Sequence, residues 1–181
     1  MVKQNAKKKT DILIKDDEQK ILYELLKDSS QSINTLAKKL KFSRQKVWRI
    51  IRHLKWNGTI WGFTAVVDER RIKMKSYMIL IRRTTEPLRE DLANKIIKRN
   101  VEPSAKKLGI TIDSSFYVHG IYDWVICFYA EDISNAKQFC DVVLRAYTGY
   151  IADIHILETL FWVKKQGMIN PNKRKLPSVL A

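Results

Sequence analysis

The clearest pattern of apolar and polar positions along the chain lies in residues 43–54. Four apolar residues there have the spacing i, i+3, i+4 and i+7, which predicts a helix with one buried stripe: Val47, Ile50, Ile51 and Leu54. Ser43 is a residue type that caps the start of a helix. The other faces carry polar, cationic and aromatic side chains, namely Arg44, Gln45, Lys46, Trp48, Arg49 and Arg52. Such a helix is typical of one that lies in a DNA major groove with its N-terminal residues on base edges.

Two further helices are predicted before this one. A helix over 33–40, capped by Ser32, is separated from Ser43 by only two residues, which indicates a helix-turn-helix with the later helix as the recognition helix. An earlier helix begins at Asp16, where Gln19 completes a capping box, and its apolar face consists of Ile21, Leu22, Leu25 and Leu26. The three helices are expected to share one small core.

The segment 59–67 follows an Asn-Gly stop and is rich in β-branched and aromatic residues, so it predicts a strand or hairpin. In a winged helix this segment would be the wing. The alternative for the whole region is an ordinary three-helix core with a solvated basic face. For Trp48, Trp56 and Trp61, packing in a core or an interface is favoured over stacking on bases.

The pattern changes at residue 75. The following residues predict a strand (76–81), a helix (88–100), two strands (112–118 and 124–130), a helix (134–147) and a long last strand (151–163). A β-α-β-β-α-β order is that of a ferredoxin-like unit, in which a four-stranded antiparallel sheet has both helices on one face. The fold class is therefore α+β, with an N-terminal winged helix-turn-helix domain and a ferredoxin-like domain after it.

The second face of that sheet needs a cover. Residues 79–81, 125–129 and 160–163 are almost continuously apolar, which is typical of strands buried on both faces. We therefore expect a homodimer or a higher homo-oligomer that is joined through these sheets.

Charge is distributed unevenly along the chain, which has a net charge of +15. The net charge is +11 in residues 1–75, −1 in 76–163 and +5 in 164–181. A polyanion-binding module joined to a nearly neutral domain accounts for this asymmetry. The expected organisation is a basic flexible arm (1–10), a winged helix-turn-helix domain (11–68), a linker (69–75), a ferredoxin-like domain (76–165) and a basic flexible tail (166–181).

Other classes of protein are disfavoured by what the sequence lacks. It contains no apolar run of the roughly 18–20 residues that span a bilayer and no N-terminal signal segment, so we expect a cytoplasmic protein without a membrane partner. Cys127 and Cys140 lie in apolar runs and are expected to be reduced core residues. The three histidines, His53, His119 and His155, have no ligand spacing, so neither a metal nor another cofactor is expected.

The chain resembles the leucine-responsive/asparagine (Lrp/AsnC, "feast/famine") family of bacterial and archaeal transcription factors. The resemblance extends over about residues 12–165, and it rests on segments that recur in the family's order and spacing: 17–22, 34–40, 43–54, 58–68 and 120–123. It implies an N-terminal winged helix, a C-terminal regulatory domain linked to amino-acid metabolism, and dimers that associate further into octamers.

The resemblance also implies two sites. The DNA-facing positions of the family match Ser43, Arg44, Gln45, Lys46, Trp48, Arg49 and Arg52, and its effector-binding Gly-x-x-Asp turn matches Gly120 and Asp123. An amino acid or a related small molecule would lie beside that turn and Tyr122, close to Asp153 and His155. The chain departs from the family at Asp153 and His155, near the last strand, where threonines are frequent in the family. It also departs in segment 101–111, which looks longer than the family's link. For Asp123, the alternative role is to fix its own turn.

The function predicted by these features is that of a sequence-specific regulator that binds double-stranded DNA and responds to a small molecule. No catalytic residues are expected. Two alternatives stay open: a siroheme decarboxylase-like enzyme on the same architecture, which would not need a cationic recognition helix, and an architectural DNA-binding protein, which the basic tails would suit.

Overall fold

A computed structural model describes residues 15–180 of the chain, which divides into two compact units. The helical unit comprises the described residues up to Val66 together with Lys164–Asn170, and the sheet unit comprises Val67–Val163 and the described residues from Pro171 onward. The predicted basic arm 1–10 lies outside the described residues. Within 15–180, none of the helices combines the length and the apolar character that a membrane span requires.

The three predicted helices of the helical unit are present as α1 (Asp16–Lys27), α2 (Ile33–Leu40) and α3 (Arg44–Trp56). Their apolar faces meet in one core of buried residues, formed by Ile21, Leu25, Leu36, Ala37 and Val47. The capping box of α1 lies one residue away from the predicted one, because the side chain of Glu18, not Gln19, accepts the backbone N–H of Lys15 at 3.0 Å.

The tight turn before α3 is held by local hydrogen bonds. Ser32 and Ser43 accept backbone N–H groups of their own helices at 3.1 and 3.2 Å, as N-caps do. Lys41 ends α2 in the left-handed conformation, with φ of 56°. The N–H of Phe42 then donates to the carbonyl of Ala37 at 2.9 Å. These contacts fix the direction in which α3 leaves the turn.

The predicted wing strand is wrong. Residues 59–67 contain no strand, although Ile60 packs on the helical core and donates its N–H to the carbonyl of Leu54 at 2.9 Å. A strand requires a hydrogen-bonded neighbour, and β-branched composition alone does not supply one. No described residue of the helical unit pairs with this segment as a strand.

The sheet unit has the predicted ferredoxin-like topology. Its strands are β1 (Lys75–Arg83), β2 (Thr111–Tyr117), β3 (Trp124–Ala130) and β4 (Ile151–Glu158), in the antiparallel order β2-β3-β1-β4. The crossovers contain α4 (Glu90–Ile97) and α6 (Ile133–Ala146). Two predictions need correction: 101–111 contains an extra helix, α5 (Glu102–Lys107), and β4 ends at Glu158 instead of reaching Val163. The predicted linker 69–75 contains a 3-10 helix at Glu69–Ile72.

Side chains alternate between the two faces of the sheet. One face packs under the helices with fully buried residues such as Tyr77, Ile79, Ile81, Ile126 and Phe128. The register places the opposite set on the other side, which we call the open face: its apolar members are Met78, Leu80, Phe116, Val125, Cys127 and Leu157. Leu157 is 49% exposed and Phe116 is 46% exposed, so this face is only partly covered within one chain.

The C-terminal residues are more regular than the flexible tail that was predicted. Lys164–Lys165 (β5) and Met168–Ile169 (β6) form a hairpin that belongs to the helical unit, and the last described residues form α7 (Leu176–Leu180). Gln166 and Gly167 both have positive φ, at 46° and 86°, as a two-residue turn between antiparallel strands requires.

Candidate nucleic-acid interface and effector site

The exposed side of α3 is the most strongly cationic helix face in the helical unit. Val47 and Leu54 are fully buried, and the stripe they belong to holds the helix against α1 and α2. The remaining predicted DNA-facing side chains lie on the solvent side, where Arg44, Gln45, Trp48, Arg49 and Arg52 are exposed. Arg44, Gln45 and Arg49 make no side-chain hydrogen bond or ion pair within residues 15–180, so their donors can bind another molecule.

Trp48 and Arg52 form one patch on this face. The Arg52 guanidinium lies 5.1 Å from the centre of the Trp48 ring, which is a cation–π distance. The tryptophans were expected to pack in a core or an interface, and the first of these two possibilities is wrong: Trp48, Trp56 and Trp61 are 51%, 83% and 98% exposed. Packing in an interface with another chain stays a prediction.

Lys46 differs from the other cations of α3. Its ammonium lies 2.6 Å from the Asp17 carboxylate of α1 and 4.0 Å from the centre of the Phe42 ring. The hydrogen bond from Lys46 holds the pKa of Asp17 below its usual value. Lys46 therefore helps to fix α3 on α1, and its charge is less available to a polyanion than those of its neighbours. Lys41, which the sequence analysis did not single out, adds an exposed cation just before α3.

The predicted effector residues fall into two groups. Asp123 fixes the end of the sheet, because its carboxylate accepts the backbone N–H of Arg83 at 2.8 Å and its own N–H donates to the carbonyl of Ile81 at 2.9 Å. Gly120 of the same turn has no left-handed φ, and a Cβ there would meet no atom within 4 Å. This geometry favours the role in which Asp123 fixes its turn, while ligand contact at Asp123 stays a prediction.

Tyr122, Asp153 and His155 are close to one another. The rings of Tyr122 and His155 meet edge to face at 5.8 Å, and Nδ1 of His155 lies 3.8 Å from the Asp153 carboxylate. Arg82 was not among the predicted effector residues, and its Nη2 lies 3.6 Å from that carboxylate. Only the β1–β4 register, which pairs Arg82 with Asp153, brings this guanidinium into the group.

Comparison with known proteins shows which fold the chain has. Residues 18–60 match a family described as winged helix-turn-helix DNA-binding. Among solved structures, an AsnC family transcriptional regulator from Agrobacterium tumefaciens is 20% identical, with a TM-score of 0.59 over 83% of this chain and 93% of its own. The transcriptional regulator NMB0573 of Neisseria meningitidis, solved in complex with L-Met, is 16% identical, with a TM-score of 0.63 over 87% and 97%. The chain has the Lrp/AsnC fold.

Further structures agree with this assignment. The chain is also similar to the leucine response regulatory protein LrpA of Mycobacterium tuberculosis, at 17% identity, with a TM-score of 0.59 over 84% of this chain and 96% of LrpA. No curated protein sequence matches the chain. The resemblance drawn from the sequence and the predicted fold class are thus confirmed, with the matched DNA-binding region coinciding with α1, α2 and α3.

Proposed function

We propose that this protein is a cytoplasmic, sequence-specific regulator of transcription that binds double-stranded DNA through α3. The proposal rests on the exposed face of α3, which belongs to a winged helix-turn-helix unit. Within residues 15–180, the arginines on this face have no partner apart from the Trp48 ring, which Arg52 contacts. A solvated surface helix also keeps its charged side chains opposite the buried stripe, but it does not need them all to be cationic, and α3 contains no acidic residue. DNA requires that arrangement, because base edges and phosphates face the same side of the recognition helix.

The side chains on this face differ in the part of DNA that they can reach. Gln45 and Arg49 point directly away from the buried stripe, near the N-terminal half of α3, where a recognition helix contacts base edges. Arg44 lies at a shoulder of this face and Arg52 lies in the C-terminal half of α3, and we place both where phosphates would be. Lys46 is bound to Asp17 and would contribute less than either.

Replacing Arg49 with alanine should therefore relax the preference for one base pair of the operator. The loss of a good base contact costs about 1–3 kcal/mol for the preferred sequence, whereas other sequences should bind nearly as before. Competition binding with a set of duplexes that differ at single positions measures this effect. An unchanged preference in folded Arg49→Ala protein would contradict the assignment.

Arg52→Ala is the matched control on the same helix, because it should weaken all duplexes alike by removing a phosphate contact. Lys46→Ala should have a smaller effect on DNA affinity than Arg52→Ala. A footprint of the wild type that disappears in excess competitor DNA would instead favour the architectural alternative.

The proposed assembly is a homodimer formed through the open face of the sheet. Its centre consists of apolar side chains from three adjacent strands, β4, β1 and β3, represented by Leu157, Met78 and Cys127 in one row. Apolar surface of this kind is stabilised when a second sheet covers it. A second copy of the chain supplies a self-complementary cover.

The proposed effector is an amino acid bound beside Tyr122 and His155. Arg82 and Asp153 present opposite charges 3.6 Å apart, and an amino acid carries the matching carboxylate and ammonium groups. The Neisseria regulator of the same fold, solved in complex with L-Met, supports this class of ligand.

Asp123→Ala and Asp153→Asn should have opposite consequences in thermal-shift measurements. Asp123→Ala leaves the Arg83 N–H without its acceptor, so it should lower the free energy of unfolding by about 1–3 kcal/mol and keep the stabilisation by amino acids. Asp153→Asn should change the stability little and abolish the stabilisation by amino acids. If Asp123→Ala alone removes the ligand effect, the site lies at the turn instead. No stabilisation of the wild type by any amino acid would contradict the effector proposal and leave the DNA proposal standing.

A further inference from the structure

Positive charge within residues 76–163 is concentrated in one short segment. Residues 95–107 contain five Lys and Arg residues and one acidic residue, whereas the rest of 76–163 contains five and ten. The five cations lie at or after the C-terminal ends of α4 and α5, and all are exposed: Lys95, Lys98, Arg99, Lys106 and Lys107. The net charge of residues 76–163 is therefore close to zero although one corner of the domain is strongly basic.

A cleft opens within this corner, with a volume of about 730 Å³. Its rim carries Lys98, Arg99 and Lys106, and its apolar lining includes Pro103, Ala105, Ile110 and Ile112. Ala105 and Ile110 are 1% and 5% exposed, so they form a firm floor that belongs to the core of the sheet unit. We call this feature the cationic cleft. It is formed largely by α5 and the residues on either side of it.

The rim retains most of its charge. The single acidic residue, Glu102, binds Arg99 through both carboxylate oxygens. Lys98 and Lys106 make no side-chain hydrogen bond or ion pair within residues 15–180. Two ammonium groups therefore remain available above an apolar floor.

Arg99 occupies a position that ordinarily favours another residue type. Its φ is 56°, and the N–H groups of Arg99 and Asn100 donate back to the carbonyls of Ile96 and Lys95 at 2.9 and 3.1 Å. This is the helix ending in which glycine is usual, because a Cβ is disfavoured there. An alternative role for these cations is to offset the helix dipole at the C-termini of α4 and α5. That role explains neither the left-handed backbone of Arg99 nor the apolar floor beside it.

We propose that the cationic cleft binds a small organic polyanion: a molecule with at least two negative charges beside an apolar or aromatic part. Lys98 and Lys106 bind the anionic groups, and the apolar part lies against Pro103 and Ile110. The combination of a basic rim with an apolar floor favours such a ligand over a DNA backbone, which would need cations along a surface and not a floor.

Calorimetric titration of the full-length chain with ATP, without divalent metal and at low salt, tests the proposal. ATP supplies both the charge and the aromatic part, inorganic tripolyphosphate supplies the charge alone, and adenosine supplies the aromatic part alone. ATP should bind more tightly than either. Equal binding of ATP and tripolyphosphate would contradict the role of the floor, and no binding of ATP would overturn the proposal.

Three variants locate the binding. The double variant Lys98→Gln/Lys106→Gln should bind ATP at least about tenfold more weakly, since hydrogen bonds to charged groups contribute at least that much. Arg99→Gly should also weaken binding, because the Glu102 carboxylate then loses its partner and stays as an unpaired negative charge at the rim. It should keep or raise the Tm, because glycine accepts the left-handed backbone. Lys137→Gln on α6 is the control, and it should leave binding unchanged.

Equal ATP affinity of the double variant and the wild type would overturn the proposal, because ATP would then bind another cationic surface such as α3. If the double variant instead weakens duplex DNA binding while the wild type does not bind ATP, the corner contacts DNA and the proposal is wrong.

Discussion

DNA binding by this protein should weaken by roughly three orders of magnitude or more as the salt concentration rises from 50 to 200 mM. A protein that makes six to ten phosphate contacts shows about this loss, because each contact releases condensed counterions. Residues 1–75 contain 19 Lys and Arg against 8 Asp and Glu, and the exposed arginines of α3 are available to bind phosphate or base edges. Two subunits on one operator would double the number of contacts.

Fluorescence anisotropy with a labelled duplex at five or more salt concentrations measures this dependence as the slope of log affinity against log salt. Arg52→Ala should reduce the slope by about one. Lys46→Ala should reduce it less, because the Lys46 ammonium is already bound to Asp17. A flat salt response of the wild type would contradict DNA binding itself, whereas equal slopes for Arg52→Ala and the wild type would contradict only the placement of Arg52 at a phosphate.

Leu157→Glu should convert a dimer into a folded monomer of 21.3 kDa. Leu157 is 49% exposed in one chain, so a carboxylate there stays hydrated in the monomer. In the dimer it would be buried without a partner, which costs several kcal/mol and weakens association by more than a hundredfold. Light scattering and sedimentation at micromolar concentration measure the mass, and circular dichroism checks the fold.

Ile97→Glu is the matched control, because Ile97 is 75% exposed on α4, on the helical side of the sheet. It should leave the dimer intact. A monomeric wild type would contradict the proposed assembly, and a Leu157→Glu variant that remains dimeric would place the interface elsewhere. DNA binding by a stable monomer of Leu157→Glu should also weaken, since two recognition helices on one duplex reinforce each other.

The apolar spacing of α3 and the caps at Ser32 and Ser43 are properties of residues that lie within one or two helical turns of each other. These features depend only on residues that are near each other in the sequence, so the helix-turn-helix and its cationic face could be predicted. The order of the predicted elements was enough to predict the ferredoxin-like topology. The extra helix α5 was missed because it is only six residues long and has no amphipathic repeat.

The tertiary structure decided whatever depends on residues that are distant in the sequence. The ion pair between Lys46 and Asp17 requires the packing of α3 on α1. The group formed by Arg82, Tyr122, Asp153 and His155 requires the register of β1 with β4 and the turn before β3. The segment 59–67 has strand-like composition and no strand partner among the described residues of its unit. By itself, therefore, the sequence determined the local elements, their caps and the face of α3 that is free to bind. Tertiary structure decided pairing and register, because a strand or an ion pair exists only when its distant partner is in place.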